Sequence, residues 1–134
     1  MQPVFDSLER EGILVRLMIL LYVLKWKLKR AVKKRPAFRK MVRKRDYTLV
    51  IRTADGRYGR FFTFSGGDVV SRNGRHPKPD LELVWVDSVT AFRALAAGGQ
   101  EAVVQALGKS QLKIEGNLDH FFWFGEVMKE MMAA

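Results

Sequence analysis

One feature near the N-terminus constrains this chain more than any other: a continuous passage from apolar to strongly basic sequence. Residues 13–24 read ILVRLMILLYVL, with Arg16 as the one charge, and Lys and Arg then hold twelve of positions 25–45. Through the passage Leu21, Leu24, Leu28, Ala31 and Val32 keep the three-or-four spacing of one helical face, while the lysines take the other. Upstream, FDSLEREG offers Asp6 or Ser7 as an N-cap and places Glu9 and Glu11 at the positive end of a helix dipole, so a helix is expected from near Ser7. Pro36 punctuates it, and AFRKMVRKR reads as a short second helix.

The charge is divided as unevenly as the hydropathy. Residues 1–45 carry 14 Lys and Arg against Asp6, Glu9 and Glu11, whereas residues 46–134 carry 10 against 11 acids, giving +11 and −1 out of a net +10. Two modules, 1–45 and 46–134, are expected to do different jobs, and the first calls for an anionic partner. As a helix the apolar run rises about 18 Å against a hydrocarbon core of about 30 Å, too short to cross unaided. Extending it to Leu28 submerges Lys25 and Lys27. The positive charge follows the apolar segment, the reverse of a secretory signal, so the segment is read as uncleaved. The chain has no cysteine, hence no disulfide, thiolate nucleophile or thiolate metal site, and nothing in it requires an oxidising compartment. The expected location is cytoplasmic, peripheral on the inner face of the membrane.

The order apolar, then Trp26, then dense Lys and Arg fits a helix lying in a membrane interface with its basic side toward anionic head groups. Leu17, Leu21, Leu24, Lys25, Trp26, Lys27, Lys29, Arg30, Lys33 and Lys34 form the expected membrane-binding set. Two observations favour this: residues 17–24 are apolar all round, and the basic run exceeds what solubility needs. Other readings stand beside it. The helix covers the domain that follows, or two copies bury their helices in a homodimer. Alternatively the segment 25–45 neutralises nucleic-acid phosphates while Trp26, Phe38 and Tyr47 stack on bases, although a nucleic-acid arm has no use for the apolar run. A non-catalytic scaffold subunit gripping protein partners is a further class.

From Asp46 the period changes. DYTLVIRT, with Leu49 and Ile51 alternating against Val50 and Arg52, reads as a strand, ADGR as a tight turn and YGRFFTF as the returning strand of a hairpin. VVSR is a short strand, NGRHPKPD a loop and LELVWV a strand. Asp87 or Ser88 caps a helix with Val89, Phe92, Leu95 and Ala96 on one face, ended by Gly98 and Gly99. QEAVVQALG is a second short helix, QLKIEGNL a strand with Leu112 and Ile114 on one face, and DHFFWFGEVMKEMM a closing helix capped by Asp119. The expected fold class is α+β: a curved, antiparallel-rich sheet of about five strands covered on one face by helices.

Over residues 49–128 this order and text resemble the sterol carrier protein type 2 family. The resemblance is strongest in PDLELVWVDSVTAFRAL and GGQEAVVQALGKSQLKIEGNL, which place Asp87, the helix around Phe92, Gly98, a short helix, Gly108, and Lys113, Ile114 and Gly116 in the family's order. It implies helices enclosing an apolar cavity for a sterol, fatty acyl chain, phospholipid or polyprenyl quinone precursor, a hydrophobic lipid ligand in every case. The basic apolar helix at the front is atypical of the family pattern. On this resemblance the expected cavity residues are Phe62, Phe64, Leu83, Trp85, Phe92, Leu95, Val104, Leu107, Leu112, Ile114, Phe121, Phe122 and Met128.

Read without the family, Phe121, Phe122, Trp123 and Phe124 cannot all face one core, because successive helical residues turn by about 100°. His76 and His120 are the only histidines, and with no H-x-H or H-x-x-x-H spacing both read as structural. No G-x-S-x-G elbow or phosphate-cradling glycine loop exists, and Glu82, Asp87 and Glu115 are scattered. The sequence therefore points to no enzyme, no metal and no cofactor.

Overall fold

The computed structural model describes residues 2–97 and 100–133, with side chains described from Gly12 onward. The order is α1 (Gln2–Lys34), α2 (Pro36–Val42), β1 (Tyr47–Thr53), β2 (Gly59–Ser65), β3 (Asp68–Asn73), β4 (Leu81–Trp85), α3 (Ser88–Ala96), α4 (Gln100–Gly108), β5 (Leu112–Gly116) and α5 (Leu118–Met132). The sheet runs β3-β2-β1-β4-β5. Three pairings are antiparallel, as in the β1–β2 hairpin that sets Leu49 opposite Phe62, but β1 and β4 run parallel, with Leu49 opposite Leu81 and Thr53 opposite Trp85. This is the expected α+β class, with a mixed sheet of five strands.

The parallel pairing carries a physical demand, since a chain cannot join parallel strands by a tight turn. Residues 74–80 cross the second face of the sheet to bring the chain from β3 to β4. They settle on it through an edge-to-face contact of His76 with Phe61 (5.3 Å) and an ion pair of Arg75 with Glu82 (3.3 Å). Asp80 fixes the far end, its Oδ2 accepting from the Thr48 amide (2.8 Å) while its own amide donates to the Thr48 carbonyl (2.9 Å). Consequently Val50, which alternates against Leu49 and Ile51, and Glu82 are buried on that second face.

The first face is covered by helices. Leu17, Leu21, Leu28, Ala31 and Val32 of α1 join Leu49, Ile51, Phe62, Phe64, Leu83 and Trp85 in one hydrophobic core. The core therefore crosses the boundary expected at residue 46. Helix α1 begins at Gln2, so neither Asp6 nor Ser7 stands at its start. Helix α3 is capped by Asp87, whose Oδ1 accepts from the Thr90 amide (2.7 Å), as expected. Its buried face runs through Ala91 and Ala94, whereas Val89, Phe92 and Leu95 flank it half-buried and Ala96 is exposed. Small residues lie inward because α3 packs against α1, and bulky ones there would hold the two helices apart. Gly98 and Gly99 lie outside the described residues. Helix α5 is capped by Asn117, not Asp119: the Asn117 Oδ1 accepts from the Asp119 amide (2.8 Å), which puts Asp119 in the first turn.

Several of the basic residues hold helix ends in place. Arg35 donates to the carbonyls of Glu130 (3.0 Å) and Met131 (3.3 Å) at the end of α5, and Arg39 to those of Val32 (2.9 Å) and Lys33 (3.0 Å) at the end of α1. These cations satisfy orphan carbonyls and oppose the negative end of each dipole.

Two substitutions test this architecture. Gly116 has φ +112°, and a β-carbon there would collide with the Asp80 carbonyl, so Gly116→Ala is expected to cost about 3 kcal/mol or more by denaturant unfolding. A chain starting at Asp46 lacks the α1 side chains of the core, and is expected to lose near-ultraviolet circular dichroism and bind hydrophobic dyes.

Candidate functional site

The residues expected to line a cavity gather in the packed hydrophobic core, with two exceptions. Phe62, Phe64, Leu83, Trp85 and Leu112 project from the first face of the sheet into the core, and Phe92, Leu95, Leu107, Ile114, Phe121 and Met128 pack against it from the helices and the edge strand. Val104 and Phe122 stand outside, 62% and 65% exposed. The helical turn explains Phe122: of the four successive aromatics, Phe124 is buried, Phe121 and Trp123 are half-buried, and Phe122 is left facing solvent.

Two buried polar atoms in this region have no hydrogen-bond partner among the described residues: the Tyr47 hydroxyl and the Trp85 indole Nε1. They lie at opposite ends of the paired strands β1 and β4. The Tyr47 ring is clamped between Phe64 and His120, with both centroid separations 4.8 Å. Burial pushes its phenol far above the usual tyrosine range, and the nearby Arg45 charge offsets only part of that. Arg45 donates to the Nδ1 of His120 (3.3 Å) and lies over the ring of Trp123 (5.6 Å). Met41 of α2 and Met128 and Met131 of α5 pack against the core, with side chains flexible enough to reshape it. Sequence reasoning used Tyr47 only as a base-stacking candidate. The signal available was its place as the first residue of a strand whose alternate positions, Leu49 and Ile51, are core.

The expected membrane-binding residues divide. Leu17 and Leu21 are in the core and Leu24 is packed against it, so none of the three is presented outward, because α1 spends that face on the sheet. Trp26, Lys27, Lys29, Arg30, Lys33 and Lys34 are exposed and Lys25 is half-buried. A second apolar stripe occupies the outward face: Val15, Met18, Ile19, Tyr22, Val23 and Trp26, all exposed and at helical spacing. Lys25 lies over the Tyr22 ring (5.7 Å) and Arg30 over that of Trp26 (5.3 Å), so the stripe merges into the basic end of the helix through cation–π contacts. No helix among the described residues is long and apolar enough to cross a membrane.

Among the described residues no group of three or more His, Asp or Glu side chains could hold a metal. His76 accepts from the Lys78 amide at Nδ1 (3.1 Å), and His120 is stacked as described. Glu82 has both oxygens taken by Arg52 (3.1 Å) and Arg75 (3.3 Å), and Glu115 pairs with Lys113 (3.2 Å).

Comparison with solved structures places this arrangement among known folds. A protein described as UbiJ-SCP2, a ubiquinone synthesis protein, superposes with a TM-score of 0.62 at 13% identity, over 95% of this chain and 98% of that one. Sterol carrier protein 2 from Yarrowia lipolytica, in its apo form, gives 0.55 at 12% identity over 84% and 91%. A Thermus thermophilus protein described as possibly a sterol carrier protein gives 0.55 at 13% identity over 80% of each chain. The domain has the sterol carrier protein fold. The likeness to the ubiquinone synthesis protein leaves out only about seven of the 134 residues, so it takes in most of residues 1–45 as well as the sheet. No family model and no curated protein sequence matches the chain.

The orphaned hydroxyl gives a test of its own. In ligand-free protein Tyr47→Phe removes an unsatisfied buried group and is expected to raise stability by about 1 kcal/mol, read from the denaturant midpoint. A loss of stability would show that the hydroxyl has a partner in the folded chain.

Proposed function

We propose that this chain is a non-catalytic lipid-binding or lipid-carrier protein that works at an anionic membrane surface. Its ligand is a sterol-like, fatty acyl or isoprenoid/quinone-type molecule held between the helices and the first face of the sheet, among the converging cavity residues. The observation that carries the proposal is the pair of opposed apolar faces on α1: one builds the core, and the other is left to solvent beside a run of Lys and Arg. Soluble helices rarely keep a continuous apolar stripe exposed without a use for it. The fold supports the ligand class, since proteins named as sterol carriers and as a ubiquinone synthesis protein share it. The Tyr47 hydroxyl and Trp85 Nε1 supply polar handles in an otherwise apolar site, and the methionines supply the adaptability that an irregular apolar ligand needs.

Here the membrane is met by the outward stripe of α1 while the domain stays attached to the inward face. Ile19→Glu with Val23→Glu is expected to abolish pelleting with anionic vesicles and leave the melting temperature within a few degrees, because both side chains are exposed. Leu21→Glu, by contrast, buries a charge in the core and is expected to unfold the domain. Delipidated protein is expected to take up a fluorescent fatty acid, sterol or prenyl-quinone analogue. A folded protein that takes up none of them ends the carrier reading, and preference for short DNA or RNA over vesicles at equal salt replaces it with nucleic-acid binding.

A further inference from the structure

At the end of the sheet where β1, β2 and β3 meet, a hollow of about 380 Å³ is lined by Arg52, Arg57 and Arg75, with Asn73, Tyr58 and Met18 and the backbone of the adjoining glycines. Arg52 and Arg75 share one carboxylate, Glu82, and Arg57 has the Asp55 carboxylate near it, so the three arginines of the hollow outnumber their carboxylates by one positive charge. The carboxylate in reach, Glu82, is shared between two of them: Oε2 accepts from Arg52 and Oε1 from Arg75. Asp55 is exposed and bonded within its own loop, its Oδ1 accepting from the Thr53 hydroxyl (2.7 Å) and the Arg57 amide (3.0 Å), and these bonds together with the Arg57 charge hold its carboxyl below the usual carboxylate range. The remaining N–H groups of Arg57 and Arg75 have no protein acceptor among the described residues, and the Arg75 side chain is 61% exposed.

A fourth guanidinium lies behind the wall. Arg60 is only 3% exposed, yet among the described residues it meets no carboxylate. Its partners are neutral: Nε donates to the Ser71 hydroxyl (2.8 Å), Nη1 to the Asn73 Oδ1 (2.7 Å), and the group lies over the Tyr22 ring (5.7 Å). A buried cation without a counter-charge is costly, and here it touches the hollow through Asn73, which lines it. An anion in the hollow relieves both the convergence of Arg52, Arg57 and Arg75 and the isolation of Arg60.

We propose that this hollow is a phosphate site and that it takes the phosphate headgroup of an anionic lipid. Planar guanidinium forks match phosphate oxygens, and the volume falls within the range of small-ligand pockets. The choice of a lipid over a soluble phosphate follows from Met18, which lines the hollow and belongs to the outward apolar stripe of α1, as does Tyr22 beside Arg60. A phosphate bound there leaves its tail against Met18 and Tyr22. In that respect the proposal rests on the membrane reading above, whereas the anion site stands on the arginines alone.

The probe is a short-chain phosphatidic acid below its micelle concentration, titrated into full-length protein and followed by backbone amide shifts. Binding is expected to move the amides of residues 56–59 and 73–75. Arg57→Gln with Arg75→Gln is expected to weaken it about tenfold, while Lys109→Gln with Lys129→Gln, which removes the same charge elsewhere, leaves it within about twofold. Equal losses in the two variants, or shifts confined elsewhere, overturn the site. Inorganic phosphate is expected to bind at least about tenfold more weakly than the short-chain lipid. If it binds equally well, the lipid assignment falls and the hollow is a soluble-phosphate site, and tighter binding of short single-stranded DNA at the same residues overturns it in favour of nucleic acid. Failure of the protein to pellet with vesicles, while short-chain lipid still binds the hollow in an arginine-dependent way, removes the membrane reading and supports the headgroup site.

Discussion

The contact on which the rest of this molecule depends is that of Leu17, Leu21 and Leu28 of α1 with the first face of the sheet. A five-stranded sheet must cover its apolar faces, and α3, α4 and α5 are short by comparison with the 33-residue helix that precedes it. By taking the inward face of α1, the sheet fixes the direction in which every other side chain of that helix points. The outward stripe and the exposure of the basic end are consequences of that single packing choice. So is the placement of Met18 and Tyr22, which α1 holds beside the arginines at the end of β1, β2 and β3.

The other face of the sheet is closed by different physics. Because β1 and β4 are parallel, the chain must travel back across the sheet before β4 can begin, and residues 74–80 do so without a helix. A loop cannot bury strands by apolar area alone, and this one adds an aromatic contact and an ion pair, with Glu82 serving two arginines at once. The same carboxylate that anchors the crossover also holds Arg52 and Arg75 at the rim of the arginine-lined hollow. Structure and candidate chemistry are thus coupled through one residue, Glu82, that the sequence offered only as a scattered acid.

The two candidate binding regions differ in how their ligands are selected. In the proposed reading, the apolar region beneath the helices, built of rings and methionines with two polar atoms unpartnered among the described residues, selects a ligand by volume and shape. The hollow offers fixed guanidinium geometry, so it discriminates by charge and by the arrangement of oxygens. A lipid carrier that reads a headgroup at a surface and a tail in a core has use for both.

Local chemistry was legible in the amino-acid sequence wherever it acts over a few residues. The order of the elements, the Asp55-Gly56 turn, the Asp87 cap and the interruption at Pro36 follow from hydrophobic period and backbone preference, which need no distant partner. The sequence also showed that residues 17–24 are apolar all round and that four aromatics on one helix cannot share a core. What it could not assign was which of two apolar faces meets the sheet, because periodicity reports that a face exists and carries no information about what covers it. The tertiary structure decided that Leu17, Leu21 and Leu24 turn inward and Val15, Ile19 and Tyr22 outward, and that Ala91 and Ala94, rather than Phe92 and Leu95, form the centre of the α3 contact. It also brought Arg52, Arg57 and Arg75 to one hollow and left the Tyr47 hydroxyl without a partner among the described residues, since both depend on strand pairing and on a crossover between residues far apart in the chain.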